Sequence, residues 1–373
     1  MSEATILMVG DLVLDVPEIE PLFNASRATL RAADLVVGHV EVPHTLRGTQ
    51  SVGNVPAPLN DPQRLEPLQG AGFHLATLAG NHIYDQGPLG ISDTIDKLRS
   101  LGIEPTGAGP NLEAARKPAI AQRNGIRVGV LSYNCVGPRE SWASANKAGC
   151  AYVHVMTHYE VDYAGPGGPP QIYTFAEPSH LEAMQGDIER LREQADIVIV
   201  ALHKGLGHTP AVVGAYERQI AKGAIDAGAD IVIGHHAHIL RGVETYKGKP
   251  IFHGLGNFVT VTRALAVEDN ASPERLAWAK RRRALFGFEP DPNYPTYPFH
   301  PEAKNTMIAS CTVTRDGVKD AGFLPCWVKP NGEPEVLGRD ARGIEVAAYI
   351  EKITQDAGLK ANFRWDGDRV VFT

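Results

Sequence analysis

Cysteine is scarce in this chain: four in 373 residues (Cys135, Cys150, Cys311 and Cys326), with no C-x-x-C pair. That excludes a dense disulfide framework. It reads as free thiols in a reducing compartment, the bacterial-type cytoplasm. Excess positive charge is also missing. The formal net charge is -7, so no global basic field invites nucleic acid or an anionic membrane. Long apolar runs are absent too. The N-terminal Ile6-Leu-Met-Val9 has no basic region ahead of it and is too short for a signal peptide or a membrane span. No internal repeat is visible. What remains is an ordinary soluble balance, 43% hydrophobic and 21% charged, long enough for one large α/β domain or two smaller ones.

The most informative stretch is Ala229-Asp-Ile-Val-Ile-Gly-His-His-Ala-His238. Its Ile/Val run reads as a buried strand of a parallel sheet. Gly234 is expected to turn the backbone, and His235, His236 and His238 follow where the strand leaves the sheet. Sites in open α/β sheets form outside the carboxyl ends of strands. Neutral imidazole is the commonest metal ligand among side chains.

The same pattern recurs along the chain. Ile6–Val9 runs into Gly10-Asp11. The spacing of Leu22, Leu30 and Ala33 predicts a helix over residues 18–33. Strand 34–37 leads to Gly38-His39-Val40-Glu41, and residues 47–61 are loop by composition. Strand 73–79 ends at Gly80-Asn81-His82, and a helix covers 91–101. Asn124-Gly125 predicts a hairpin turn. Ser179, with Glu182 three residues on, predicts a capped helix to Gln194. Strand 196–201 ends at His203-Lys204, helix 216–227 follows, and Pro250–Phe252 is another strand. Residues 307–313 and 321–328 read as antiparallel strands, 339–359 as holding a helix, and 362–373 as a strand pair. Residues 135–180 and 270–305 lack clear periodicity and read as lid-like insertions over the site. Residues 306–373 would complete a single domain spanning 1–373.

Asp11, Glu41, Asn81-His82, His203 and His236/His238 thus all fall at strand ends. Two carboxylates, an amide oxygen and three histidines can hold two metals about 3.5–4 Å apart around a bridging water. Mixed N and O donors suit Mn, Zn or Fe.

These residues, in order, resemble a family. Gly10-Asp11, Glu41-Val-Pro43, Gly80-Asn81-His82 with Asp85-Gln-Gly87, His203-Lys-Gly205, Gly228–His238 and Leu255-Gly-Asn-Phe258 are similar to the CapA capsule (poly-γ-glutamate) synthesis proteins of the calcineurin-like metallophosphoesterase superfamily. The resemblance covers roughly residues 4–262. It implies a four-layered αββα sandwich. It also implies that Glu41 bridges the metals, that Asn81, His203 and His236 hold one of them, and that Asp11 and His238 serve the other. His82 takes the place of the phosphoesterase acid histidine, with Asp85 orienting it.

One departure matters. The superfamily has Asp-x-His at the first strand, whereas here Val13 follows Asp11-Leu12, so one ligand is missing and the metal count can be two, one or none. Three readings follow, in order. The first is a metal-dependent hydrolase of an amide or phosphoester, in which His82 protonates the leaving group. The second is a metal-free acid/base peptide epimerase using groups such as Asp11 and Asp85. The third is a non-catalytic component of capsule or polyglutamate synthesis or export. An anionic, small or peptide-like substrate would meet His44, Lys204, Tyr152, His158 and His300, with Tyr163, Tyr173, Tyr294 and Tyr297 as amphipathic surface. Arg281–Arg283 read as a solvated helix face, and His74 and His253 as core or edge histidines. Asn257 is expected to bond strand-end backbone. No nucleic acid and no membrane span is expected.

Overall fold

The computed structural model describes residues 2–51, 55, 57–161, 167–267 and 271–373; Tyr163 lies outside them. Two β-sheets face each other. The first has ten strands, and its centre is the long strand Ala4–Asp15. Strands Leu35–Val40, Leu75–Thr77 and Glu104–Thr106 extend it in parallel on one side. Asn305–Thr314 and Gly317–Val328 extend it antiparallel on the other. The second sheet has six strands. Ile126–Asn134, Ile197–Lys204, Ile231–His236 and Lys249–Phe252 run parallel within it.

Side-chain alternation along these strands builds three apolar layers. Ile6, Met8, Val37, Ile199, Ile231 and Ile233 meet between the sheets. Leu7, Val9 and Val36 face outward onto helices that include Gly87–Ser100. Val198, Val200 and Val232 face the helices Pro178–Arg192 and Ala215–Asp226. Each fully buried side chain of this kind contributes about 1.5–3 kcal/mol. The result is a helix–sheet–sheet–helix sandwich, the four layers that the motifs implied. Among the described residues no helix is long and apolar enough to cross a membrane.

Several local expectations need correction. Residues 18–33 form two short turns, Glu20–Phe23 and Arg27–Arg31, rather than one helix. Leu22, Phe23 and Leu30 are still buried, so the apolar spacing serves two pieces. The helix Pro178–Arg192 is capped by Glu177, which accepts from His180 N at 2.9 Å, and not by Ser179. Pro178 explains the shift, because it suits the first helical position. Residues 135–180 contain the hairpin Val155–Glu160/Gln171–Ala176. Residues 270–305 contain a capped helix, Pro273–Phe286. Ser272 caps it and Gly287 ends it in the left-handed region.

Candidate metal centre

Asp11 does not end its strand, as the sequence suggested. The strand runs on to Asp15 because Asn257–Thr262 adds alongside it in parallel. The register shifts on both flanks of Asp11, an irregularity of the kind that re-aims a side chain. Gly10 permits this approach: a Cβ there would lie 2.0 Å from Gly256 O. Gly234 serves the same purpose rather than a turn. It lies within the strand Ile231–His236, and its Cβ would sit 2.1 Å from His253 O.

Three sequence-predicted donors converge, His203 and His236 from neighbouring strands and Asn81 from the loop after Leu75–Thr77. His203 Nε2 lies 2.6 Å from Asn81 Oδ1 and 3.1 Å from His236 Nδ1. His236 and His238 both take positive φ, 86° and 54°, which turns their rings out of the strand alternation. A second group forms beside the first. His238 Nε2 is 3.3 Å from Glu41 Oε1, and its Nδ1 is 3.4 Å from Asp11 Oδ2. Nδ1 is also 2.9 Å from Asn257 Oδ1. Asn257 Nδ2 donates to His238 O at 3.4 Å, so Asn257 bonds backbone as expected and orients the ring as well.

The electrostatics of this cluster follow from burial. Asp11 and Glu41 are 0% and 1% exposed. Asp11 is pushed well up, first by burial and then by the neighbouring Glu41 charge. Burial opposes the Glu41 charge too, but His238 outweighs it and holds the carboxyl below its usual range. His238 is raised to about 9 despite burial, through Glu41 and Asp11. His236 is lowered to about 3 by burial and by the His238 charge. His203 is likewise held neutral.

The donors fit a divalent cation. Asp11 Oδ1, both Glu41 oxygens, His39 Nε2 and His203 Nδ1 are buried and make no hydrogen bond among the described residues. His238 Nε2 approaches Glu41 Oε1 to 3.3 Å without satisfying it as a hydrogen-bond donor. Buried carboxylate oxygens without a hydrogen-bond donor cost several kcal/mol unless a charge lies beside them; protonated His238 is one such charge, and a divalent cation, which would take His238 as a neutral ligand, would be another. His82 stands at the edge of the cluster, its Nδ1 donating to Asp85 Oδ2 at 2.6 Å. Burial depresses its pKa, but Asp85 overrides that and raises it.

A cleft of about 660 Å³ opens over these groups, lined by Asn81, His82, His236, His238, Arg281 and Arg282 among others. A narrow apolar pocket adjoins it, formed by Val13, Val42, Pro43, Leu265 and Phe299. Arg281–Arg283 are therefore not a uniform solvated face. Arg282 lies against Phe286 and reaches His208 Nε2 at 3.3 Å, while Arg283 is exposed and pairs with Glu289.

The predicted substrate residues are not gathered there. Lys204 is fully buried, donating to Glu217 Oε2 at 3.1 Å and His253 O at 3.2 Å; strand alternation turns it away from His203. His44 is wholly buried behind Val42. Tyr152 stacks on Trp142. His158 sits on the exposed hairpin beside Glu160, and Tyr173 is on the same hairpin. His300 caps a short turn by accepting from Glu302 N. Tyr297 is buried, donating to Ala303 O and accepting from Asn257 Nδ2; Tyr294 is buried beside it. No described residue of 135–180 lines the cleft. His154 packs with Trp142, Arg139 and His180, away from it.

Sequence reasoning passed over His39 and His208, and it placed Arg282 on a solvated face. For His39 the signal was present: it lies two residues before Glu41, on the same side of an extended segment. His253, read as a core or edge histidine, is buried against Glu244. His74 is half-buried and accepts from Val36 N.

Asp, Glu, Asn and His side chains thus gather at one edge of a four-layer α/β sandwich. The chain belongs to the bacterial capsule synthesis protein family PGA_cap, whose model matches residues 5–262. It is 27% identical to the PGA biosynthesis protein CapA of Bacillus subtilis (strain 168) over 332 residues, 88% of this chain and 79% of that protein. It is also 27% identical to the capsule biosynthesis protein CapA of Bacillus anthracis over 269 residues, 69% of this chain and 60% of that one. The solved calcineurin-like phosphoesterase YfkN from Bacillus subtilis aligns with TM-score 0.40 and 14% identity, covering 95% of this chain and 98% of that chain.

Proposed function

We propose that the chain is a metal-dependent hydrolase of an amide or phosphoester in an anionic, peptide-like substrate. The observation that carries this reading is the His82–Asp85 pair, 2.6 Å apart, at the mouth of a cleft whose floor is a buried, under-bonded donor cluster. Asp11, Glu41 and His238, together with the Asn81, His203 and His236 group, would hold the cation, Mn, Zn or Fe by donor chemistry. A bound divalent cation supplies Lewis-acid polarisation of the scissile carbonyl or phosphoryl oxygen and lowers the pKa of water.

The protein's own groups do the rest. Asp85 accepts a hydrogen bond from His82 Nδ1–H and so favours the protonated ring, whose Nε2–H can then donate to the leaving group. Arg281 and Arg282 line the same cleft and suit carboxylate or phosphate oxygens. The apolar pocket by Val13 and Phe299 suits the alkyl part of a peptide-like chain. The relatives named for capsule and PGA biosynthesis support an anionic polymer or its fragments as the substrate class. Four buried free cysteines fit a cytoplasmic setting.

His82→Gln is the test. General acid catalysis contributes about 10²–10⁴-fold, so turnover should drop by that order while metal content stays constant, and less for substrates with good leaving groups. Equal loss of metal and activity would make His82 a ligand and end its assigned role. Exchange of the substrate α-hydrogen in heavy water without hydrolysis, surviving chelator, would replace this reading by a metal-free epimerase. Binding with neither turnover nor exchange would replace it by a non-catalytic role.

A further inference from the structure

His39 is buried, and the proposed function gives it no part. Its strand neighbour is Asp11: the two are paired across the parallel ladder. Its Nδ1 lies 3.0 Å from Thr77 Oγ1, and the Thr77 hydroxyl donates to Gly38 O at 3.4 Å. The Thr77 oxygen therefore receives the Nδ1 proton, which leaves Nε2 with a free lone pair. His203 is in the mirror-image state. Its Nε2 faces an amide oxygen, Asn81 Oδ1, that can only accept. The proton is therefore on Nε2 and the lone pair on Nδ1. Asp11 Oδ1 completes the set. All three atoms are buried and none has a hydrogen-bond partner. Asp11, His39 and His203 each offer a donor atom within 4.8 Å of the other two.

Three acceptors facing one another with no hydrogen between them repel unless a positive charge is shared. Both rings close onto the Gly80 backbone: a Cβ there would sit 3.3 Å from His39 Nε2 and from His203 Cε1 and 3.5 Å from His203 Nδ1. Gly80 does not have positive φ, so the backbone does not demand glycine there; the space beside the two rings does. His235, stacked on His39 at 4.5 Å, clamps the ring.

We propose that Asp11 Oδ1, His39 Nε2 and His203 Nδ1 form a divalent-cation site in which His39 replaces the ligand missing at Val13. The site shares Asp11 with the Asp11–Glu41–His238 group. Asp11, rather than Glu41, then bridges the two positions, and Asn81 orients His203 instead of ligating. A ligating histidine held by a hydrogen bond on its other nitrogen is the usual arrangement. The inference rests on the metal-dependent reading above and revises which residues hold the cation, with Asn81 moved from ligand to positioning residue.

The test is structural and stoichiometric. Chelated, reconstituted protein is soaked or titrated with Zn²⁺ or Mn²⁺; metal per chain is measured by elemental analysis and its position by anomalous diffraction. The expected result is an anomalous peak between His39 and His203. His39→Gln and Gly80→Ala should each hold one equivalent fewer, or hold their last one at least about tenfold more weakly. His39→Gln keeps a polar group of similar length, and Gly80→Ala keeps every donor, so one checks the other if either misfolds. A peak only among Asn81, His203 and His236, with both variants binding like the parent, overturns this site and leaves the metal reading standing. A reconstituted parent with no metal anywhere overturns both.

Discussion

Replacing Lys204 by Met separates a structural ammonium from a substrate-binding one. Lys204 and Glu217 are both 0% exposed at their side chains and lie 3.1 Å apart. The ammonium also reaches His253 O at 3.2 Å and His253 Nδ1 at 3.3 Å. Glu217 in turn accepts from Gly214 N at 2.8 Å, closing the first turn of the helix Ala215–Asp226. Burial pulls the Lys204 pKa down and Glu217 pulls it back only in part. Methionine fills the aliphatic volume, so the loss is electrostatic. Removing one partner of a buried pair costs about 3–5 kcal/mol. Arg241 remains near Glu217 and holds its charge, which argues for the lower end, about 3 kcal/mol. With an unfolding entropy of about 2.1 cal/mol/K per residue, the whole chain carries about 0.8 kcal/mol/K, so Tm should fall by about 4 °C. Differential scanning calorimetry measures the shift, and elemental analysis checks that metal content is unchanged. An unaltered Tm with weakened binding of an anionic substrate would refute the reasoning and return Lys204 to the cleft.

Two further outcomes follow from the same geometry. Burial holds His44 at about 3 and His253 at about 4, against 6.5 for the free side chain. The unfolded chain therefore binds more protons between those values. Stability should be complete above about pH 6.5 and fall as the pH drops toward 4, by up to about 1.4 kcal/mol per unit for each group; a urea midpoint that is flat from pH 7.5 to 5 in metal-free protein would contradict this. Arg282→Ala should weaken binding of a glutamate oligopeptide about tenfold, the loss of one charge-assisted hydrogen bond, whereas Arg283→Ala should not; equal affinities by calorimetry would remove Arg282 from recognition.

The sequence by itself determined where the donors sit along the chain. An Ile/Val run that stops at Asp, Glu, Asn or His is a local pattern, and the strand it predicts needs no distant partner to be read. Asn124-Gly125 specified its hairpin for the same reason, since both residues take positive φ, 51° and 76°. Tertiary structure decided which neighbours of those donors share the site. Lys204 follows His203 directly, yet the pleat sends it into the opposite layer, where Glu217 of the packed helix Ala215–Asp226 offers a carboxylate. Arg282 enters the cleft because Ser272 and Gly287 bound a helix where sequence periodicity showed none. His39 meets Asp11 through a cross-strand register that skips between Met8 and Asp11. That register is set by sheet pairing, including the strand Asn257–Thr262, which arrives beside Asp11 from more than 240 positions along the chain. Such pairing depends on packing that no short stretch of sequence contains.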